Sequence, residues 1–334
     1  MNTHSPPARG LVRALLLTAV TASATACGGT YVVVKRRIPA EITIRADRTM
    51  AVAGIEGDGG AALAADVSAA ILATNRYPLV ERQRLDAVLR EIKLSAAGHV
   101  SDATAVTFGE MTGAATLVAG DVHISTYQEH VTREDQKCAR DGKLVPCSLY
   151  TRTARAALDV ALRVVETESG HLLAIKQLSA SSEEEARAYE RPPPPFDAGA
   201  QMLAQCRKDV ASQFAKVIAP HDVEELVHLL DDGDLPELER GNNFAKLGNW
   251  EQAEAQYNAA LSRAKTAGMK PALVALATYD LGVAVAYGGD LDAGLGLLEE
   301  AYALDPRDVY MEQVTRVRQM KADAARVKEQ EPGR

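Results

Sequence analysis

Apolar and polar positions along this chain change period several times, and the changes mark its parts. Short β-type runs come first: Tyr31-Val32-Val33-Val34, then Glu41-Ile42-Thr43-Ile44 beyond a break at Pro39, then Thr49 to Ile55. From about Ala61 to Thr74 the period is helical, with Leu63, Val67, Ala70 and Ile71 on one stripe. Tyr77 to Glu81 reads as a short strand, and Arg82 to Lys93 as an amphipathic helix carrying Leu85, Val88, Leu89 and Ile92 on one face. A further helix, which Ser101 and Asp102 could both cap, runs to about Thr112. Ala115 to Thr126 is the next strand, followed by the arms of a long antiparallel hairpin, Tyr127 to Arg133 and Leu149 to Glu166. In the returning arm Leu158, Val160, Leu162 and Val164 alternate with Asp159, Ala161 and Arg163, so one face is buried and one wet. A turn at Thr167-Glu168-Ser169-Gly170 leads to a strand from His171 to Ser181. The stiff Arg191-Pro192-Pro193-Pro194-Pro195 loop and a helix from about Asp197 to Ile218 close this part near Ala219-Pro220. Strands alternating with helices, then consecutive hairpins, predict a mixed α/β domain over 48–220. Residues 27–47 form an N-terminal segment with strands, and 221–235 a linker.

The remainder, 236–330, is helical and repetitive. Gly241, Gly248, Ala253, Tyr257 and Ala260 recur 41 residues later as Gly282, Gly289, Gly294, Leu298 and Ala301, with Pro306 ending the second pattern. An amphipathic tail from Val309 to about Val327 is expected to cap them.

The N-terminus changes the picture of where this chain works. Arg9 and Arg13 precede a short apolar run from Ala14 to Val20, then Ala24-Thr25-Ala26-Cys27-Gly28. A basic start, a brief apolar core and small residues before a break are the parts of an export signal over 1–26. The run is too short to span a bilayer, which takes roughly 20 residues. A Cys directly after the small residues resembles the lipobox of bacterial lipoproteins, although that family prefers Leu where Ala24 stands. The resemblance implies that Cys27 is acylated and becomes the new N-terminus. Gly28 and Gly29 stand where an inner-membrane retention signal would place Asp, which favours the outer membrane, facing the periplasm. An ordinary signal peptide with a coincidental Cys is the competing reading.

Removal of the signal leaves about 308 of 334 residues, enough for two modest domains. Hydrophobic residues make up 47% but aromatics only 4%, so the cores rest on Ala, Leu and Val. The net charge of −8 and the lack of a basic face exclude a nucleic-acid partner. Lys35-Arg36-Arg37 is the densest basic run. It could meet lipid headgroups, though a solvated strand flank is the simpler reading. After Cys27 no segment reads as a membrane-spanning helix. Cys138 and Cys147 bracket a tip with the turn signal Asp141-Gly142, and in an oxidising compartment they predict a disulfide. Cys206 lies in a helical apolar pattern as a buried free thiol.

Catalytic, cofactor and metal chemistry is sought and not found. The Gly57-Asp58-Gly59-Gly60 loop could cradle a phosphate but lacks both the Lys-Ser/Thr of a P-loop and the dinucleotide spacing. A tight turn into a helix is preferred there. His123, His130 and His171 have no near ligand partners, and Asp231-Asp232-Gly233-Asp234 fails the calcium-loop pattern.

The helical pattern resembles the tetratricopeptide repeat, with a period of 41 in place of 34. That resemblance implies a groove lined from first helices, here by Asn242, Lys246, Tyr279 and Val283, holding an envelope protein or peptide. Asn242 matches the family's carboxylate-clamp position and Val283 does not continue it. An ordinary solvated face competes with this reading.

The α/β part resembles the periplasmic domain of the curli-secretion (CsgG-like) lipoproteins and related penicillin-binding-protein activators. Met50-Ala51-Val52-Ala53, Tyr77-Pro78-Leu79-Val80-Glu81-Arg82-Gln83-Arg84-Leu85, Gly113 to Gly120, and Arg163 to Gly170 carry the resemblance. It implies a non-enzymatic, lipid-anchored envelope scaffold or activator working by protein contact. An oligomeric secretion channel is the first alternative and a nucleotide-binding protein the second. Against a pore, the hairpin stretches 127–135 and 150–155 carry no continuous apolar stripe, and an Arg at the bilayer midplane costs roughly 2–4 kcal/mol.

Overall fold

The computed structural model describes residues 29–45, 48–80, 102–140 and 142–331. The signal, Cys27, the 82–93 helix and Ser101 lie outside these residues. In chain order the elements begin with β1 (Gly29–Ile38), β2 (Met50–Glu56), α1 (Gly60–Ala73) and α2 (Asp102–Thr112). The long strands β3 (Thr116–Arg140), β4 (Lys143–Glu166) and β5 (Leu172–Tyr189) follow, then α3 (Gly199–Ile218) and β6 (His221–Leu230). Helices α4 (Pro236–Lys246), α5 (Trp250–Thr266), α6 (Pro271–Gly288), α7 (Leu291–Leu304) and α8 (Asp308–Gln330) complete the chain. The residues fall into two compact units. Of the described residues, one unit comprises those in Gly29–Val32 and Leu226–Gln313, and the other those in Val33–Glu225 and from Val314 onward.

The α/β unit is built on a sheet ordered β2-β3-β4-β5, with β2 parallel to β3 and the others antiparallel. Buried side chains of β4 alternate as expected, from Ala154 and Ala156 through Leu158, Val160, Leu162 and Val164. They meet Leu63, Val67 and Ile71 of α1 and Met202, Cys206, Val210 and Phe214 of α3 in one core. Ala51, Ala53, Leu117, Ala119 and Val165 form a second cluster with Met111 of α2. β2 is therefore buried at alternate residues into both clusters, which is why its sequence is apolar without a gap. Each Leu or Phe so buried contributes roughly 1.5–3 kcal/mol.

Beyond this base the sheet continues as a long blade. β3 is one strand of 25 residues where the sequence suggested a strand and a separate hairpin arm. A bulge between Val122 and Ile124 joins the two parts without ending the ladder. Arg140 pairs with Lys143, so two residues make the turn, and Gly142 sits at φ 74° as that geometry demands. Cys138 and Cys147 are disulfide-bonded beside the tip, with Cα atoms 5.8 Å apart.

Three expectations change. Glu41–Ile44 is not a strand: Ile42 donates one hydrogen bond to Val217 O at 3.0 Å, and Ile44 fills the core. Tyr77–Val80 makes only a bridge between Leu79 and Met50. Residues 221–230, expected within a linker, form β6 and pair with β1 in a two-stranded ribbon. β6 alternates outward Asp222, Glu224 and Leu226 with partly buried residues, a strand period that its acidic content masks.

In the helical unit, Gly241 lies where α4 meets α5 and Gly282 where α6 meets α7. A Cβ on Gly241 would meet the Tyr257 ring, and one on Gly282 would meet Leu298 and Gly294 O. Asn249 and Asp290 cap the second helix of each hairpin, accepting from Gln252 N at 3.1 Å and Ala293 N at 2.9 Å. α6 is 18 residues long and apolar enough by composition to cross a membrane, which the sequence reading did not anticipate. Its apolar residues are buried among its neighbours, Ala275 to Ala284 almost without interruption. α8 also departs from expectation: only its start belongs to the helical unit, and from Val314 it packs in the α/β unit. There Gln330 brackets Ala40, its Oε1 accepting from Ala40 N at 2.9 Å and its Nε2 donating to Ala40 O at 3.0 Å. Arg36 pairs with Asp323 at 2.6 Å and Arg37 with Glu331 at 2.6 Å.

Candidate functional site

The four residues expected to line a groove do not share one. Tyr279 and Val283 have 1% and 0% relative exposure, so neither faces a ligand. The Tyr279 hydroxyl donates to His228 O at 2.7 Å, and its ring stacks on Tyr310 at 4.8 Å. Asn242, exposed by only 2%, donates from Nδ2 to Leu230 O at 3.0 Å and accepts from the Tyr257 hydroxyl at 2.8 Å. Asp280 accepts from Leu230 N at 3.0 Å. The end of β6 is thus clasped by side chains of α4 and α6. The polar groups that would read a foreign backbone read the chain's own instead. Sequence could not show this, because nothing local marks β6 as the occupant.

Burial shapes the chemistry of that interior. Asp280 is fully enclosed and its second carboxyl oxygen has no hydrogen-bond partner, so its proton is held well above the carboxylate range. Burial also raises Tyr257 and lifts Tyr310 to about 12, while it lowers His228.

Lys246, the fourth expected residue, is exposed at the end of α4, its Nζ 3.3 Å from Asn243 Oδ1. With Asn242, Asn243, Glu239, Thr30, Asp231 and Asp232 it lines an open pocket of about 400 Å3. Asn242 and Lys246 thus line one pocket, and Tyr279 and Val283 are buried away from it.

The α/β unit has its own groove, about 690 Å3, between α1 and α3. Ala69, Ala70 and Ala73 face Ala211 and Ala215 across it, and Lys208, Lys216 and His221 stand at its rim. Burial lowers the His221 pKa. Arg37, also at the rim, is held above its ordinary value by its hydrogen bond to Glu331, and is hydrogen-bonded to Asp222 too.

A polar network fastens the proline loop to the blade. Glu129 accepts from Tyr127 at 2.5 Å, from Arg152 at 2.9 Å and from Phe196 N at 3.2 Å, and Arg152 donates to Pro193 O at 2.9 Å. The Tyr127 bond is the main reason that Glu129 titrates low and Tyr127 is pushed up to about 12. Cross-strand pairs Arg155–Glu183 and Arg163–Asp121 add charge to the blade. These pairs were not singled out from sequence, since strand register decides them.

The Gly57–Gly60 loop is a packed turn. Gly57 and Gly59 have φ of 91° and 75°, Gly60 N donates to Gly57 O at 3.1 Å, and Asp58 accepts from Ser125 at 3.0 Å. Among the described residues no three His, Cys, Asp or Glu side chains gather as metal ligands.

Residues 48–190 match the family described as curli production assembly/transport component CsgG, so this stretch of the α/β unit is CsgG-like. A comparison with curated proteins returns no match. Three solved structures have low similarity to parts of the chain. The NMR structure of E. coli LpoB is 12% identical, with 55% of this chain and 84% of that chain covered and a TM-score of 0.29. The PelC dodecamer from Paraburkholderia phytofirmans is 11% identical, covering 56% and 98% with a TM-score of 0.26. Lipoprotein GNA1162 from Neisseria meningitidis is 14% identical, covering 50% and 98% with a TM-score of 0.25.

Proposed function

We propose that this chain is a lipid-anchored protein of the outer membrane, facing the periplasm, that holds another envelope protein and turns over no substrate. The observation that carries the reading is a CsgG-like stretch over 48–190 behind a lipobox-like Cys27. The helical hairpins, with their tetratricopeptide-like glycine positions, supply the contact surface. Asn242, Tyr279 and Asp280 are engaged by His228 to Leu230, so the reading places that surface at the open pocket around Asn243 and Lys246. Metabolic labelling with an alkyne palmitate, followed by membrane fractionation, tests the anchor. Label in the outer-membrane fraction, lost in Cys27→Ser, is expected; an unlabelled periplasmic protein refutes it. A photo-crosslinking residue at position 246 should then capture one discrete partner, blocked by Asn243→Arg.

A second reading, a ring-forming secretion component, is favoured by one observation. β5 ends the sheet, and β3 from Val122 onward is paired with β4 alone. The blade thus offers two long unpaired edges among the described residues, and such edges invite pairing with another copy. Light scattering of the detergent-extracted acylated protein decides between a ring of many subunits and a monomer or dimer.

A further inference from the structure

We propose that the proline loop between β5 and α3 is a ligand ridge: a pinned polyproline II segment, Arg191 to Phe196, that seats in an aromatic-lined groove of a partner protein with a carboxylate at one end. This surface involves neither the pocket around Lys246 nor the lipid anchor.

The conformation is dictated locally. Arg191, Pro192, Pro193 and Pro194 are each followed by a proline, which disfavours the helical region for all four and holds them extended. The proline rings fix φ at about −65°, and no described peptide bond is cis. What remains is the polyproline II helix, with about three residues per turn and a rise of about 3.1 Å per residue. Burial along the loop follows that period. Pro193 is buried and Phe196, three residues on, is half-buried against the core of the α/β unit. Arg191, Pro192, Pro194 and Pro195 are exposed. One edge of the ridge therefore faces the protein, while the edges Arg191/Pro194 and Pro192/Pro195 face outward.

Hydrogen bonds hold the ridge by its start and its inner edge. Glu190, at φ 69°, turns the chain off β5 while its N–H donates to Ser148 O at 2.9 Å. Arg152 donates to Pro193 O at 2.9 Å, and Phe196 N donates to Glu129 at 3.2 Å. Among the described residues no hydrogen bond reaches the carbonyls of Pro192, Pro194 or Pro195, which leaves those acceptors to a partner's donors. A segment that is already rigid loses little conformational entropy on binding, and proline edges of this kind dock in grooves walled by aromatic rings. Residues three apart on one edge lie about 9 Å from each other, the spacing of two neighbouring proline pockets.

Charge sets the direction in which the ridge lies. Arg191 is exposed, shares an edge with Pro194 and enters no ion pair among the described residues. A carboxylate at that end of the groove is its complement, and it favours one orientation of a nearly symmetric ligand. Aromatic residues are only 4% of this chain, and Tyr257, Tyr279, Tyr310 and Phe214 are buried, so a different protein is the better source of such a groove.

The test places the photo-crosslinking residue p-benzoylphenylalanine at position 197, which is exposed beside the ridge and leaves every proline in place. Full-length protein is expressed in its own host and irradiated. A discrete adduct is expected, with the attached peptide, read by mass spectrometry, coming from a segment of another protein that carries Trp or Tyr. An excess of the synthetic hexapeptide of residues 191–196 should abolish it, and the same peptide with Ala at both outward prolines, 192 and 195, should not. In the full-length protein Arg191→Glu brings like charges together and should lower capture about tenfold, as should Pro192→Ala with Pro195→Ala through the lost ring contacts and rigidity. All these substitutions are at exposed positions, and unchanged melting temperatures verify that the fold is kept. No adduct, an adduct to a second copy of this chain or to a segment without aromatic residues, or capture that the hexapeptide leaves intact would each overturn the proposal. Undiminished capture by the Arg191→Glu protein would overturn the acidic end of the groove.

Discussion

Replacing Gly241 by Ala tests whether the two helical hairpins are built alike, and the structure sets the size of the effect. A Cβ at Gly241 would stand 2.7 Å from Tyr257 Cδ1 and 2.8 Å from Cζ, with Cε1 nearer still. Tyr257 cannot yield easily, because it is fully buried and its hydroxyl is tied to Asn242 at 2.8 Å. Overpacking of this kind costs about 1–3 kcal/mol, and the helical preference of Ala over Gly returns about 0.5–1 kcal/mol. With three ring carbons closer than 3.0 Å the upper half of that range applies, so the net loss is about 1–2 kcal/mol, or a melting point lower by roughly 3–6 °C. At Gly282 the corresponding neighbours are Leu298 Cγ at 3.0 Å and Gly294 O at 3.1 Å. That overlap is milder, so Gly282→Ala should cost less than about 1 kcal/mol. Tyr257→Leu places in the first hairpin the residue that the second already has. By itself it destabilises through the lost ring and the lost hydrogen bond. In its background, however, Gly241→Ala should be nearly neutral, a coupling of about 1–2 kcal/mol in a double-mutant cycle. Urea melts followed by helical circular dichroism provide the measurement. A Gly241→Ala protein as stable as the parent, or a double variant whose losses simply add, would refute the argument that this contact sets the helix spacing.

Cys206 is buried against Ala156 O, so it should resist maleimide in the native protein and react stoichiometrically in urea; fast native labelling would contradict the packing of α3 on β4. His221 and His228 are both lowered by burial, so as pH falls the unfolded chain takes up protons before the folded one does. Their stabilising contribution is complete above the unfolded value of about 6.5 and is lost as pH falls below it. Asp280 has the opposite sign, because its raised pKa favours the folded state more as pH falls toward the ordinary carboxyl range. The histidine contribution is therefore read as a difference: between about pH 7.5 and 5, spanning the ordinary histidine range, His228→Gln should lose less melting temperature than the parent, and an equal loss would dismiss it. Glu129→Gln removes the charge facing Arg152 and weakens the acceptor for Phe196 N, so hydrogen exchange at Phe196 should quicken at least tenfold. Unchanged exchange would show that the proline loop is held by something else.

Much of this fold was legible because it is periodic. The alternation of Leu158 to Val164 located the buried face of β4, and Asp141-Gly142 located the hairpin tip with its flanking cysteines. Gly241 and Gly282, picked out as small residues in helical segments, lie at the close contacts of α4 with α5 and of α6 with α7. The candidate groove was only half legible. Asn242, Lys246, Tyr279 and Val283 were chosen by position on first helices, which is correct for a groove that stays open. Here His228 and Leu230, at the end of β6, take the hydrogen bonds of Asn242, Tyr279 and Asp280, and the strand lies in a segment that reads as linker.

The amino-acid sequence by itself determined which segments are apolar on one side, where the turns fall, and which small residues permit close helix contact. These properties depend on residues a few positions apart, so local patterning records them. Only the tertiary structure decided what each face meets. The pairing of β1 with β6 joins segments far apart in the chain, and the clasp of Leu230 by Asn242 and Asp280 joins two helices to one strand end. The bracket of Ala40 by Gln330 likewise sends α8 beyond the unit in which it starts. Such contacts arise because buried backbone groups must find partners wherever the chain returns, and the sequence names the polar side chains able to serve without naming which backbone they will serve.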